Sequence, residues 1–139
     1  MYFKLFPIGI VCSPFKTRQE VPRQGEEILP PVKIEIFSKY LTGLRKLAEG
    51  QSIYVLTWLH LADRKILEVH PKGDRRLALH GVFATRSPDR PNPIGLHLVT
   101  LEQILEDGII VHPLEAIDGT PVLDIKPYLS REGIYEVMK

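Results

Sequence analysis

Cysteine is almost missing from this chain. Cys12 is the only one in 139 residues, so neither an internal disulfide nor a cysteine-based zinc site can form. That usage fits a reducing cytosol. Asparagine is equally scarce (Asn92 alone) and methionine occurs twice, a thermolabile-poor composition of the kind found in hot environments. Long apolar runs are lacking too. Residues 1–11 are apolar but broken by Lys4 and Pro7, without a small-residue cleavage site, and read as a strand, not a signal peptide. Nothing approaches the length that spans a bilayer, so a soluble, cytoplasmic protein without membrane association is expected. Charge of one sign is not in excess: the formal net charge is +1. This excludes a partner that holds nucleic acid by bulk charge, and leaves only local patches for such contacts.

Familiar chemical signatures are absent as well. His60, His70, His80, His97 and His112 are scattered, and no two stand at metal-ligating helical spacing, so no metal is expected. No G-x-G-x-x-G follows a strand and no G-x-x-x-x-G-K-[ST] occurs, which excludes Rossmann and P-loop readings. No serine sits in a G-x-S-x-G elbow. Cys12, within an apolar run, reads as a buried and inert thiol. His60 is the one histidine with a suggestive place, ending the most apolar strand beside Trp58.

What is present is a series of short β-like runs between Gly and Pro breaks. They cover residues 2–11, 32–37, 52–59, 65–69, 77–85, 96–104, 108–113 and 122–126. Residues 32–37 alternate apolar and charged side chains, the period of a half-buried strand. Residues 52–59 are β-branched and aromatic, as in a central strand. Glu106-Asp107-Gly108 supplies a hairpin turn. Only residues 42–49 look helical, with Leu44 and Leu47 on one face and Thr42 as cap. Residues 1–139 therefore form one domain by length, mainly β, a single-domain β-barrel-like fold with one short helix.

The polar chemistry falls in the loops. Residues 15–25 form one long connection rich in charged and amide groups. Asp118-Gly119 is a turn pair leading through Thr120-Pro121 into a strand. In that strand Leu123 and Ile125 are expected on one face, with Asp124 and Lys126 as an ion pair on the other. The third loop is Gly81-Val-Phe-Ala-Thr-Arg-Ser-Pro-Asp-Arg-Pro-Asn-Pro-Ile-Gly-Leu96. Its prolines Pro88, Pro91 and Pro93 fix φ, remove donors and restrict the residues before them. A stiff loop follows, one that holds Arg86, Arg90 and Asn92 with little freedom to lose on binding.

That loop, together with Asp118-Gly-Thr-Pro-Val-Leu-Asp-Ile-Lys-Pro-Tyr-Leu129, closely resembles the TsaA-like (TrmO) family. Ile8-Gly-Ile-Val-Cys-Ser-Pro-Phe15, Val21-Pro-Arg-Gln24 and Trp58-Leu-His60 extend the resemblance in order over about residues 7–129. The resemblance implies a barrel-like methyltransferase outside the Rossmann classes that uses S-adenosylmethionine and works as a homodimer. Its implied reaction is methylation of the exocyclic nitrogen of threonylcarbamoyl-adenosine beside the anticodon of a tRNA. Carried over by position, the cofactor contacts are Pro22, Arg23, Gln24, His60, Leu61, Arg86, Asp118, Gly119, Thr120 and Pro121. Arg90 and Asn92 are candidates for contacting the RNA or supporting the pocket.

The residue types suit that chemistry. A guanidinium such as Arg86 or Arg23 can grip the carboxylate of the cofactor in bidentate fashion, and turn backbone groups at 118–120 can read an adenine edge. The acceptor nitrogen must shed a proton, and Asp118 and His60 both remain open as the base. The chain departs from the family in two places. It ends at Lys139 without the additional C-terminal region of longer members, so tRNA binding is expected to rest on the core domain or a dimer. The segment 61–74 is shorter and differently composed than usual, with Leu61 where a polar residue is common. The pairs Arg45-Lys46, Arg64-Lys65 and Arg75-Arg76 are candidate phosphate contacts. Two other readings stay open: a non-catalytic cofactor- or RNA-binding module, and a methyltransferase with a small-molecule acceptor.

Overall fold

The computed structural model describes residues 1–21 and 29–130. Strands β1 (Gly9–Cys12), β2 (Val32–Ile36), β3 (Ser52–Trp58), β6 (Ile94–Leu105), β7 (Gly108–His112) and β8 (Pro121–Pro127) close into a barrel in the order β1-β2-β7-β6-β3-β8. Every pairing is antiparallel. Closure leaves no unpaired edge in the main sheet. Alternation places Val11, Ile34, Ile53, Val55, Val99, Leu101, Ile109, Val111 and Val122 inside, each essentially inaccessible to solvent. Leu114 and Ala116 plug the interior from the loop after β7.

The barrel agrees with the mainly β expectation, and several details correct it. Residues 1–7 lie outside the sheet, with Met1, Tyr2 and Phe3 exposed. Pro7 brings no N–H, and sheet bonding starts at Ile8, whose N–H donates to the Val122 carbonyl at 2.8 Å. Cys12 is half-buried, not buried, because it falls on the outward phase of β1. The expected helix over 42–49 is instead a 3-10 helix at Ser38–Leu44. Its preceding residue Phe37 offers no side-chain cap, Thr42 lies inside it, and Lys46 with φ 78 ends the turn series. Leu44 and Leu47 still pack on the core. Two further short 3-10 turns occur, at Pro71–Gly73 and Val82–Ala84.

Bulges account for another correction. On β8, Thr57 pairs with Val122 but Leu56 with Asp124, so Leu123 is an extra residue. Val122 and Ile125 then both turn inward, which simple alternation of Leu123 with Ile125 does not anticipate. The Asp124–Lys126 ion pair does form, at 2.9 Å and well exposed, where such pairs contribute little. The expected strands 65–69 and 77–85 shrink to a two-residue ladder, β4 (Glu68–Val69) with β5 (His80–Gly81). The stiff loop narrows to residues 85–93, since Val82–Ala84 forms a 3-10 turn and β6 already begins at Ile94.

Antiparallel closure sorts the connections between the two barrel ends. The described residues 13–21 and 29–31, with 59–93 and 113–120, all adjoin one end. The connection 37–51, the β6–β7 hairpin and the start of the chain lie at the other. The described parts of the three polar loops singled out from the sequence therefore share one mouth.

Candidate functional site

Two of these loops are tied together there by one carboxylate. Asp89 accepts from Arg18 Nη2 at 3.4 Å, with Arg18 Nη1 at 3.3 Å from its other oxygen, and from the backbone N–H of Asp63 at 2.9 Å. Asp89 thus joins the loop after β1 to the long excursion after β3. The exit of β3 is fixed by Leu59 N–H donating to the Pro93 carbonyl at 2.8 Å.

The two arginines of the stiff loop do different things. Arg90 donates from Nε to the Ser87 carbonyl at 2.7 Å, and from Nη2 to the carbonyls of Val82 (2.8 Å) and Thr85 (2.7 Å). Its guanidinium is the internal frame of the loop, satisfying backbone acceptors that the prolines cannot pair. Arg86 is exposed and has no hydrogen bond or ion pair among the described residues. It is a cation on a rigid support whose donors are open among the described residues. Asn92 turns inward to the loops: its Oδ1 accepts from Arg64 Nη2 at 3.2 Å, while Arg64 Nε donates to the Pro91 carbonyl at 2.7 Å. Arg64 also stacks 5.0 Å from the Trp58 ring centroid. The Arg64 guanidinium is therefore engaged within the protein, whereas Lys65 and Arg75 are exposed.

The Asp118 turn is braced against the end of β1. Asp118 Oδ1 accepts from Ser13 N–H at 3.0 Å and Oδ2 pairs with Lys16 Nζ at 2.9 Å. Its own N–H donates to the Phe15 carbonyl at 2.6 Å, and Gly119 N–H donates to Val11. The hydrogen bond from Lys16 first, then that from Ser13, holds the Asp118 carboxyl below the usual carboxylate range. Asp118 is thus an ionised anchor. Gly119 takes φ +82 with open space around its Cα, a left-handed conformation that favours glycine. Thr120 is buried and its Oγ1 donates to the Ile117 carbonyl at 2.7 Å. Pro121 opens β8. His60 and Leu61 are exposed just past β3, at the same mouth. Pro22, Arg23 and Gln24 lie outside the described residues.

One group at this mouth escapes sequence reasoning. His97 is on β6, in phase with the inward residues Gly95 and Val99. Its Nε2 lies 2.8 Å from Oγ1 of the fully buried Thr57. Gly95 makes room for the pair: a Cβ there would run into Thr57 Oγ1 and His97 Nε2. Burial first, and the Arg86 charge second, push the imidazole from its ordinary 6.5 down to about 4. A lone histidine amid apolar residues carries no sequence signal of this kind, although G-x-H on a strand beside a threonine strand is its trace. A cleft of about 500 Å³ at the opposite barrel end, lined by Ile8, Tyr40, Leu44 and Ile125 among others, contains none of these residues.

The family model for the tRNA-methyltransferase O N-terminal domain matches residues 10–132. The chain belongs to this family. A "probable S-adenosyl-L-methionine-binding protein" of Methanothermobacter thermautotrophicus is 48% identical over 130 residues, covering 92% of this chain and 91% of the relative. An "S-adenosyl-L-methionine-binding protein" of Archaeoglobus fulgidus is 46% identical over 124 residues, covering 89% and 88%. The crystal structure of TrmO from Pseudomonas aeruginosa superposes with a TM-score of 0.72 at 30% identity, covering 93% of this chain. The chain spans 57% of that TrmO chain. Family membership confirms the resemblance drawn from the two loop strings and agrees with the closed barrel. No helix among the described residues is long and apolar enough to cross a membrane.

Proposed function

We propose that this family member binds S-adenosylmethionine at the mouth formed by residues 13–21, 59–93 and 113–120, and transfers its methyl group to tRNA. The acceptor in this reading is the exocyclic nitrogen of threonylcarbamoyl-adenosine beside the anticodon. The observation that carries it is the open guanidinium of Arg86 at the same barrel end as the glycine turn Asp118-Gly119-Thr120-Pro121. The residues fit the cofactor. Among the described residues Arg86 has free donors for a carboxylate, and Gly119 leaves a gap through which a flat ring can approach the backbone.

When bound, the cofactor supplies an activated methyl on a cationic sulfonium. The chain's own task is then positioning and exclusion of water. The Asp89 links and the Arg90 frame hold the mouth in shape, so Arg86 meets its ligand with little ordering cost. Asp118, ionised and bound by both oxygens, shapes the turn; as a proton acceptor it is poorly placed. His60, exposed at the exit of β3, is the remaining one of the two bases considered from the sequence.

A homodimer and a cytoplasmic location belong to the same proposal. Ile94, Leu96 and Leu98 on the outer face of β6 are each 43–50% exposed, and their apolar strip is the surface a second copy would cover. Sedimentation of the purified protein tests that part. Calorimetric titration with S-adenosylmethionine tests the site: Arg86→Ala weakens binding roughly 10-fold or more, whereas Lys65→Ala leaves it near wild type. Equal affinities for the two variants would remove Arg86 from the site. A binding module without turnover is the second reading, favoured by the names of the relatives, which speak of binding alone. It predicts the same titration and no methyl transfer.

A further inference from the structure

We propose that Phe83 is a stacking platform for a base of single-stranded RNA, and that free cations of residues 59–93 take phosphates of the same strand. This rests on the reading of RNA as the methyl acceptor, and names where its loop lies. Phe83 is 79% exposed on the 3-10 turn Val82–Ala84. Its ring has no aromatic or cation partner among the described residues. The peptide that carries it is nevertheless tightly fixed. Val82 is buried, and its N–H donates to the Leu67 carbonyl at 2.9 Å. The Val82 carbonyl, in the peptide that leads into Phe83, accepts from three donors. These are Thr85 N–H at 3.0 Å, Thr85 Oγ1 at 2.9 Å and Arg90 Nη2 at 2.8 Å. A flat apolar face is thus held in solvent on an ordered backbone, and docking a base there adds little ordering cost.

The surroundings favour a polyanion over a protein partner. Residues 59–93 hold seven of the 18 Lys and Arg but four of the 17 Asp and Glu, a net +3 that leaves −2 for the rest of the chain. Arg64, Arg76 and Arg90 are engaged within the protein. Lys65, Lys72 and Arg75 are exposed, and their side chains have no hydrogen bond or ion pair among the described residues. Lys65 stands two residues before Leu67, against which the Phe83 turn is bonded. Lys72 and Arg75 lie in the connection that the β4–β5 ladder closes. Free cations of this kind gain by contacting phosphates and releasing counterions. Leu67, Leu77 and Leu79 are exposed in the same excursion, which makes a second copy of the chain the competing cover for Phe83. A two-fold interface sets one surface against its own copy, so it would oppose net +3 to net +3, an unfavourable pairing. An aromatic face beside cations is instead the usual equipment for unstacked RNA bases.

The test titrates an anticodon stem-loop RNA carrying threonylcarbamoyl-adenosine into the full chain with S-adenosylmethionine present. Phe83→Leu keeps apolar bulk but loses the π face, and is expected to bind the RNA about five-fold more weakly or worse. Phe83→Trp keeps the face and is expected to stay within about two-fold of wild type. Both variants should keep the wild-type denaturation midpoint and the wild-type affinity for S-adenosylmethionine, because the ring is 79% exposed. Salt dependence gives a separate readout. Lys65→Ala combined with Arg75→Ala should lower the slope of log affinity against log salt by about 1.4, while Phe83→Leu leaves the slope unchanged. Wild-type RNA affinity in Phe83→Leu overturns the platform, and an unchanged slope in the double variant overturns the phosphate contacts. A weaker RNA affinity that tracks a change in sedimentation of Phe83→Leu also overturns it, and gives the ring to a second copy. Wild-type protein that binds S-adenosylmethionine but no RNA overturns the acceptor reading itself, which distinguishes that failure from loss of the platform alone.

Discussion

The guanidinium of Arg90 reaches back eight residues to the carbonyl of Val82, 2.8 Å from Nη2. With the bonds to Thr85 and Ser87, this makes one arginine the interior of a loop whose other arginine faces solvent. A pair that looks equivalent in sequence is thus divided into an internal frame and an outward-facing cation.

Arg90→Lys is expected to destabilise the protein, because an ammonium cannot reproduce the planar fork on three carbonyls. A hydrogen bond to a charged group contributes about 1.5–3 kcal/mol, so a loss of at least about 1.5 kcal/mol should appear in chemical denaturation. Arg86→Ala, with no internal partner to lose, should leave the denaturation midpoint unchanged. Equal destabilisation by both would contradict the division of roles.

Gly119→Ala should cost about 1–2 kcal/mol by forcing a Cβ into the left-handed region. Space is not the obstacle there, since nothing lies within 4 Å of the added atom. Thermal melting of the variant checks the cost. An alanine that leaves stability untouched would mean that the turn adopts another conformation.

Asp118→Asn should keep the Ser13 contact through the amide oxygen and lose the Lys16 pair. Both partners are substantially exposed (39% and 63%), so the stability change should stay below about 1 kcal/mol. The Asp118 carboxyl is held below its ordinary 3.8. Whatever stability the pair adds is present above that value and lost only as pH falls through the lower, folded one. Urea midpoints of wild type and variant should therefore differ little between pH 5 and 8.

Stability in mildly acid solution should show a histidine ramp. His97 titrates at about 4 in the folded chain against 6.5 ordinarily, so the unfolded state binds the extra proton between those values. Unfolding free energy then rises with pH from about 4 to 6.5, by up to about 3 kcal/mol. Thr57 Oγ1 lies against the ring, and Arg86 is the charge that adds to its burial. Thr57 carries no titration of its own in this window. His97→Gln should flatten the ramp. An unchanged pH profile in that variant would assign the ramp to other groups.

Much of this architecture was readable in the residues. Val32–Ile36 and Ser52–Trp58 show their alternation directly, since each has one face in the barrel. The three prolines of 88–93 announced a loop that no ladder could absorb. Other features depend on contacts between distant residues and leave no local trace. The bulge at Leu123 exists because β8 must satisfy both β1 and β3, and it reverses the inward phase within one strand. The helix shifted to Ser38–Leu44 because packing of Tyr40, Leu41 and Leu44 on the core outweighed the cap signal of Thr42. In the site, Arg86 and the 118–121 turn were visible as strings. Asp89 as a hub and His97 beside Thr57 were not, because their partners lie 26 to 71 residues away.

The central claim is methyl transfer to a modified adenosine in tRNA. The most direct test incubates the protein with methyl-labelled S-adenosylmethionine and tRNA, carrying or lacking the threonylcarbamoyl group, followed by digestion to nucleosides. Label is expected in the threonylcarbamoyl-adenosine of the modified tRNA and in no nucleoside of the unmodified one. Absence of label from every nucleoside, with S-adenosylmethionine binding intact, would contradict the account and leave a binding protein in its place.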